Sequence, residues 1–328
     1  MQLIDQYNRR LNYLRISITD RCNLNCIYCT PRQGFTKLRH KDILTYEEIL
    51  RLSRIAIKLG VNKIRLTGGE PLVRRGIYEF IPRLVSLPGL EDVSLTTNGI
   101  YLKDNLKKLR SSGIKRLNVS LDTLKRKKYQ YITGHDGLRQ VLDGLSLAKE
   151  LAFEPIKINV VVMKGINDDE VTDLARLSLV EPYHIRFIEY MPLGASNTVH
   201  FSYHVPSSRI KVEVSRPGNL IPVQKSMYDG PAERFRFKGA PGEIGFISPI
   251  THKFCHQCNR LRLTASGCLR PCLLSNQEVD IKGPMRAGAS EEELSRIFLK
   301  TALNKPYAHH VSSLNPIPVT AQMSSIGG

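Results

Sequence analysis

The sequence predicts an α/β fold, an open and partial TIM-like β/α barrel of about six units with a C-terminal cap. Two observations lead to this prediction. Short runs rich in β-branched residues alternate with segments of helical periodicity, which is typical of βα units and a parallel sheet. Only about six such units can be counted, and a closed barrel of this type needs eight strands, so we expect the sheet to stay open.

The strands of the predicted barrel are short apolar runs that are bounded by polar residues and glycine. They are expected at 14–18, 63–67, 93–97, 116–120, 156–162 and 185–190. Because helical segments separate them, the strands should run parallel to one another.

The first predicted helix is marked by signals at both of its ends. Thr45 can act as its N-cap, and Glu48, three residues later, completes a capping box. Gly60 then ends the helix, because glycine adopts the left-handed conformation that follows many helices. Its apolar residues recur at helical spacing and should face the core: Ile49, Leu52, Ile55, Ala56 and Leu59. Further helices are expected at 77–85, 103–111, 139–151 and 169–177.

Polar and glycine-containing motifs directly follow four of the predicted strands. They are TGGEP at 67–71, TTNG at 96–99, SLD at 120–122 and EYMP at 189–192. In barrels of parallel strands, the chemistry sits at the carboxyl ends of the strands, so these motifs should share one mouth. The remainder is richer in proline and loops and should cap that mouth. We therefore divide the chain into a barrel at 1–193 and a C-terminal region at 194–328.

Three cysteines, Cys22, Cys26 and Cys29, have the spacing C-x3-C-x2-C in the loop after the first predicted strand. Iron–sulfur clusters are held by cysteine thiolates, whereas structural zinc normally takes four protein ligands. A zinc ribbon would need a second C-x2-C pair about 15 to 20 residues away, but the next cysteine is Cys255. Disulfides are disfavoured because seven cysteines are an odd number and no secretory signal precedes them. We predict a cubane cluster with one iron open to a further ligand.

A second group of cysteines has the spacing C-x2-C-x9-C-x3-C near residue 260. Its members are Cys255, Cys258, Cys268 and Cys272. Four thiolates can close a zinc site or hold a second cluster, and the spacing does not decide between them. Arg260 and Arg262 follow Cys258, and on an extended segment their side chains point the same way. Such a pair suits a phosphate-bearing ligand, although two surface ion pairs would explain it equally well.

The charge of the chain favours an anionic partner. The net charge is +18, from 48 Lys and Arg against 30 Asp and Glu. A multiply charged small substrate fits this charge. The densest basic run, at 125–128, is interpreted as a solvated helix start. Aromatic residues make up only 7% and no RNA-binding motif is present, so nucleic-acid binding by a zinc-stabilised protein remains the minor alternative.

The composition also predicts where the protein works. No run of about 18 apolar residues is present, so no membrane span is expected. The first ten residues are polar and lack the apolar core of a signal peptide. Cysteines kept for metal need a reducing setting, which predicts a cytoplasmic protein.

Four motifs together resemble those of a known family. They are the first cysteine triad with Tyr28 before its last cysteine, the TGGEP motif, the run Cys255 to Leu263 followed by Arg270-Pro271-Cys272, and the terminal Gly327-Gly328. The first two are similar to the signatures of the radical S-adenosylmethionine (SAM) superfamily. All four together resemble the GTP 3′,8-cyclase family, also called molybdenum cofactor biosynthesis protein A, over nearly the whole chain.

This resemblance implies a reaction and a set of partners. Two 4Fe–4S clusters would lie at opposite ends of a partial barrel, and SAM would bind the first. A 5′-deoxyadenosyl radical would take the 3′-hydrogen of GTP, and C3′ would attack C8 of guanine. The product would be 3′,8-cyclo-7,8-dihydro-GTP, in the first step of molybdenum cofactor biosynthesis. A flavodoxin-type electron donor, a cyclic pyranopterin monophosphate synthase downstream and a homodimer are also implied.

The resemblance assigns a role to individual residues. The clusters would be held by Cys22, Cys26, Cys29, Cys255, Cys258 and Cys272. SAM would contact Tyr28, Gly69, Ser120 and Met191. GTP would contact Arg15, Arg65, Thr96, Lys157, Arg260 and Arg262. Catalysis would involve Arg260, Arg262, Gly327 and Gly328. Arg15, Arg65 and Lys157 stand in apolar strands, where an inward charge is costly without a partner, which supports a ligand role.

Two features depart from the family pattern. The family usually has no cysteine at the position of Cys268, and we expect this residue to be a bystander. The proline-containing stretch at 309–322 is longer than expected, which leaves the path of the tail open. The alternative activity is another radical SAM enzyme with an auxiliary cluster, for example one that modifies a peptide. Such an enzyme would need neither Arg260 and Arg262 nor a Gly-Gly end.

Overall fold

The computed structural model describes residues 2–29, 36–193, 201–224, 230–311, 319 and 323–327. Gly328 and most of the stretch at 309–322 therefore lie outside the described residues. None of the helices in the described ranges combines the length and the apolar character that a membrane-spanning helix needs.

The described strands form one sheet. In chain order they are β1 (Tyr13–Ser17), β2 (Lys63–Thr67), β3 (Asp92–Thr97), β4 (Arg116–Ser120), β5 (Ile156–Val162), β6 (Tyr183–Glu189), β7 (Leu220–Pro222), β8 (Glu233–Phe237), β9 (Glu243–Ile247), β10 (Arg260–Leu263), β11 (Cys268–Arg270) and β12 (Val279–Asp280). Their spatial order is β12-β11-β10-β1-β2-β3-β4-β5-β6-β9-β8-β7. The six strands predicted from the sequence are β1 to β6, with ends that differ by at most two residues.

The C-terminal region does more than cap the barrel. β10 pairs parallel with β1, and β9 pairs parallel with β6, so this region adds a parallel strand at each edge of the predicted six. Both strands were missed because their parallel partners, β1 and β6, are distant in the sequence and their neighbours along the chain, β11 and β8, pair with them antiparallel. The open, partial barrel is confirmed. The division at residue 193 stays a prediction, since strands from both sides of it share the sheet.

The helices pack against this sheet. They are α1 (Tyr46–Lys58), α2 (Ile77–Val85), α3 (Leu102–Ser111), α4 (Arg126–Thr133), α5 (Leu138–Glu150), α6 (Val171–Val180), α7 (Ser207–Val214), α8 (Lys282–Arg286), α9 (Glu291–Leu303) and α10 (Met323–Ile326). The capping box of Thr45 and Glu48 is present, and Gly60 follows the helix with φ of +95°. The basic run at 125–128 starts α4, as predicted. The predicted apolar face of α1 is buried in the main core.

The register of the parallel strands brings charged side chains together. Arg15 in β1 lies beside Arg262 in β10 on one side and beside Arg65 in β2 on the other. Two residues earlier, Tyr13 lies between Arg260 and Lys63. Side chains two residues apart on a strand share a face, so the two rows stack on the same side of the sheet. The fold thus collects into adjacent rows cations that are up to about 250 residues apart in the chain.

Candidate active site

One cavity of about 280 Å³ lies between the two cysteine groups. The three cysteines of the first triad line it, as do Cys255, Cys258 and Cys272. The first triad follows the carboxyl end of β1, whereas Cys258 precedes the amino end of β10. Because β1 and β10 are parallel neighbours, the two groups approach the cavity from opposite ends of the sheet. The sequence-predicted iron ligands therefore meet in one space.

The first triad sits in a loop that is hydrogen-bonded to the TGGEP motif at 67–71. Gly69 N–H donates to the carbonyl of Thr19 at 2.7 Å, and Glu70 N–H donates to that of Arg21 at 2.8 Å. A Cβ on Gly69 would lie 2.3 Å from the Arg21 oxygen, which no side chain can accommodate. Glycine is thus required by the approach of the cysteine loop, a reason that the sequence did not reveal. Its predicted contact with SAM stays a prediction.

A hydrogen-bond network joins Glu70 of the TGGEP motif to the sulfur of Cys22. Buried Glu70 accepts from the backbone N–H of Asn98 at 2.7 Å. The amide Nδ2 of Asn98 then donates to Asn23 Oδ1 at 2.8 Å and to Cys22 Sγ at 3.7 Å. The orientation of the amide follows from its other end, because Asn98 Oδ1 accepts from Ile100 N–H at 3.1 Å. Asn98 therefore presents a donor to a predicted iron ligand.

The four residues predicted to contact SAM, Tyr28, Gly69, Ser120 and Met191, all line the cavity. The hydroxyl of Tyr28 donates to Asp122 Oδ2 at 2.7 Å, and Asp122 Oδ1 accepts from the N–H of Val161 at 2.8 Å. Burial raises the pKa of Asp122 to about 6, against the lowering effect of these two donors. Asp122 belongs to the SLD motif, and no role was predicted for it from the sequence.

The middle of the cavity is cationic. Among the described residues, eight lysine and arginine side chains line it, with Asp122 as the one Asp or Glu: Arg15, Lys63, Arg65, Lys157, Arg186, Arg260, Arg262 and Lys305. Five of these were predicted. Lys63, Arg186 and Lys305 were missed, although Arg186 carried the same signal as Arg15, a charge inside an apolar strand.

Crowding of positive charge changes the acidity of these groups. Burial, together with Arg186 and Arg65, lowers the pKa of Lys157 to about 6. Burial and the neighbouring Arg260 lower the pKa of Arg262 to about 9. Eight cations that line one cavity fit a ligand with several negative charges.

Two neutral polar groups in the cavity also suit a ligand. The hydroxyl oxygens of Tyr13 and Thr96 are buried and have no hydrogen-bond partner among the residues that the structure describes. Burial raises the pKa of Tyr13, but Arg65, Arg15 and the other nearby cations lower it below its usual value overall. Thr96 was predicted to contact GTP, whereas Tyr13 was not singled out. A buried polar atom without a partner is costly, so both hydroxyls fit contacts with a bound molecule.

The second cysteine group lies among cations. Burial would raise the pKa of the Cys258 thiol, but Arg260 and Lys305 lower it to about 6. Cys268 does not line the cavity, and its neighbours in space are Glu278 and Ser266. The structure thus separates Cys268 from the cysteines that face the cavity.

The sequence of the chain matches two protein families and is similar to known proteins. Residues 16–178 match the Radical SAM superfamily, and residues 183–311 match the Molybdenum Cofactor Synthesis C family. The chain is 49% identical to the GTP 3′,8-cyclase of Moorella thermoacetica over 324 residues, which cover 99% of each chain. It is also 49% identical to the GTP 3′,8-cyclase of Thermodesulfovibrio yellowstonii over 328 residues, again 99% of each chain.

The chain belongs to the GTP 3′,8-cyclase family. It is a radical SAM enzyme, and the cofactors of this family are SAM and two 4Fe–4S clusters. Among solved structures, Streptococcus suis SuiB bound to S-adenosylmethionine aligns with a TM-score of 0.59 at 15% identity, over 84% of this chain and 64% of that chain. At this identity the likeness concerns the fold alone, and it confirms the radical SAM architecture.

Two groups of three cysteines in this GTP 3′,8-cyclase family member line the cavity. A zinc ion with Zn–S bonds of about 2.3 Å needs its sulfurs close together, whereas a cubane spreads three cysteines over three irons. The cavity position of each triad and the exclusion of Cys268 agree with two clusters, each with three cysteine ligands.

The C-terminal tail of this family member enters the barrel. The carbonyl oxygen of Gly327 accepts a hydrogen bond from Nη1 of Arg262, which lies in the cavity wall. Gly327 has φ of +72°, and a Cβ there would lie 2.6 Å from Cγ2 of Thr67. Glycine is therefore required by its conformation and by its surroundings. The structure thus places Gly327 beside Arg262, one of its predicted catalytic partners, while Gly328 lies outside the described residues.

Proposed function

We propose that the protein cyclises GTP to (8S)-3′,8-cyclo-7,8-dihydroguanosine 5′-triphosphate, the first step of molybdenum cofactor biosynthesis. The observation that carries the proposal is a single cavity with a cysteine triad at each end and eight lysine and arginine side chains in its lining. Sequence identity of 49% over nearly the full length of two proteins named GTP 3′,8-cyclase supports it.

The first triad would hold the cluster that binds SAM. Cys22, Cys26 and Cys29 would supply three thiolates, and Tyr28 and Gly69 would meet SAM through their backbone. Ser120 and Met191 would complete this end of the site. When bound there, the reduced cluster and SAM supply a 5′-deoxyadenosyl radical that removes the 3′-hydrogen of GTP. The Tyr28–Asp122 hydrogen bond keeps the cysteine loop against the ends of β4 and β5.

The middle and far end of the cavity would hold GTP. The triphosphate would lie among Arg15, Arg65, Lys157, Arg260 and Arg262, to which we add Lys63 and Arg186. Thr96 would offer its unpartnered hydroxyl. Cys255, Cys258 and Cys272 would hold the second cluster, which would supply an iron coordination site for the purine. Gly327 would keep Arg262 oriented. Gly328, the other predicted catalytic glycine, lies outside the described residues.

Further parts of the proposal concern the cell rather than the site. A cytoplasmic location, a flavodoxin-type electron donor, a homodimer and a downstream cyclic pyranopterin monophosphate synthase all belong to it. The peptide-modifying alternative is less well supported, because a peptide backbone carries no negative charge to attract the lysine and arginine side chains that line the cavity.

The test is an anaerobic assay of the reconstituted and reduced protein with SAM and GTP. We expect 5′-deoxyadenosine to form only when GTP is present. The cyclised product has the mass of GTP, so it must be separated by its chromatographic mobility. Guanosine is the matched control, since it has the purine and the 3′-hydrogen but no phosphates to meet the cations. SAM cleavage that ignores GTP would refute the proposal, and equal turnover of guanosine would refute the role of the cations.

A further inference from the structure

Lys305 follows α9 and is buried at the second cysteine end of the cavity, with a relative exposure of 2%. Its Nζ donates to the carbonyl oxygen of Arg260 at 2.9 Å and also to that of Pro271. Arg260 lies two residues after Cys258, and Pro271 immediately precedes Cys272. One ammonium group therefore joins the two backbone segments that carry these cysteines.

No carboxylate within salt-bridge distance balances the charge of Lys305 among the described residues. Other buried cations at this end do have one: Arg9 pairs with Asp5 at 2.6 Å, and Arg270 pairs with Glu278. A buried ammonium group without a counter-charge is expensive, and carbonyl oxygens offset only part of the cost. The negative groups that favour its charged form are the thiolates of Cys258 and Cys272. This environment fits an anionic centre beside Lys305.

Arg9 ties the third cysteine segment to the same place. Its Nη1 donates to the carbonyl oxygen of Cys255 at 2.6 Å and to that of Tyr307 at 3.0 Å, and its Nη2 donates to that of Pro306 at 2.7 Å. The segment from Lys305 to Tyr307 is thus bound to all three ligand-bearing segments. Lys305 differs from Arg9 in that it lines the cavity and pairs with no carboxylate in the described part of the chain.

We propose that Lys305 is a positioning residue for the second cluster, holding the segments of Cys258 and Cys272 together and raising the reduction potential of that cluster. The inference rests on the cluster proposed above. Reduction adds a negative charge to the cluster, and a nearby buried cation stabilises that charge more than it stabilises the oxidised form. Lys305 therefore acts through the cluster and its backbone, not through contact with the reacting atoms of GTP.

The test is a redox titration followed by electron paramagnetic resonance on anaerobic protein without SAM or GTP, alongside an iron count. Lys305→Met keeps the length of the side chain and removes its charge. We expect the midpoint potential of the second cluster to become more negative while that of the first is unchanged. Lys300→Met is the matched control, because Lys300 is exposed on α9, and it should leave both midpoints unchanged. A Lys305→Met protein with two clusters and wild-type midpoints would overturn the proposal.

Failure of Lys305→Met to assemble the second cluster would be resolved by Lys305→Arg, which keeps the charge. If Lys305→Arg keeps about eight irons and the wild-type midpoint, the electrostatic role is supported. If Lys305→Arg also loses iron, Lys305 contributes only packing and the proposal is overturned. The readout is independent of turnover. A wild-type protein that binds only one cluster would defeat the proposed second cluster itself, whereas a missing midpoint shift would defeat the role of Lys305 alone.

Discussion

The two cysteine triads lie at opposite ends of one cavity, and the ionisable groups beside them differ: carboxyl groups at the first and an arginine and a lysine at the second. Beside the first, burial raises the pKa of Cys22 and Cys26. The carboxyl group of Glu70 adds to this effect for Cys22, and that of Asp122 adds to it for Cys26. Beside the second, Arg260 and Lys305 lower the pKa of Cys258 to about 6. Negative surroundings favour loss of an electron from a cluster, whereas positive surroundings favour anionic ligands and a reduced cluster. The difference suits a cluster that cleaves SAM at one end and a substrate-binding cluster at the other.

The contrast has a structural origin in the sheet. The first triad follows β1 and contacts the TGGEP and SLD motifs, which contain Glu70 and Asp122, at the carboxyl edge of the strands. The second triad lies at the amino edge of β10, where the register places Arg260 beside Tyr13. The two edges of one sheet therefore surround the two cysteine triads with different charged residues.

The most damaging test of the comparison is to remove cysteines from the second group. Cys272→Ala should reduce the iron content from about eight to about four and abolish GTP-dependent SAM cleavage, because a cubane with two cysteine ligands is poorly held. Cys268→Ala is the matched control and should keep both iron and activity, since Cys268 lies outside the cavity. Iron analysis of both variants decides. Loss of iron from the Cys268 variant alone would reverse the ligand assignment.

A smaller effect is expected where the tail meets Arg262. Gly327→Ala needs a left-handed conformation that costs an alanine about 1–2 kcal/mol, and its Cβ would also meet Thr67. We expect turnover to fall about tenfold or more with both clusters intact, as 1.4 kcal/mol corresponds to a factor of ten. Gly165→Ala is the control, because Gly165 has φ of +73° and nothing within 4 Å of its added Cβ. Equal turnover of the two variants would remove the tail from the site.

The smallest effect concerns the first cluster alone. Asn98→Leu removes the amide that donates to Cys22 Sγ, and hydrogen bonds to cluster sulfurs help to set the reduction potential. We expect the midpoint of the first cluster to become more negative and that of the second to stay constant, the mirror image of Lys305→Met. Redox titration of both variants provides the comparison. Movement of both midpoints in either variant would show that the two sites are not electrostatically separate.

Most of the barrel could be read from the sequence because its signals are local. The strand that contains Lys63 and the helix that begins after Thr45 depend on alternation, capping and glycine, which a short window reveals. The two parallel edge strands were missed because their pairing with β1 and β6 depends on segments about 60 to 250 residues away. For the same reason, the sequence did not predict that Lys63 and Lys305 line the cavity. Their position depends on strand register and on packing between distant segments.

By itself, the sequence determined the open α/β barrel, the two cysteine motifs and the family, since each depends on residues that are close together or on fixed spacing. Only the tertiary structure decided that Cys268 stands apart from the cavity, that Gly69 is required by a backbone contact and that Lys305 is buried against two backbone carbonyls. Charge and burial depend on which distant segments meet, and that information exists only once the parallel strands have set their register.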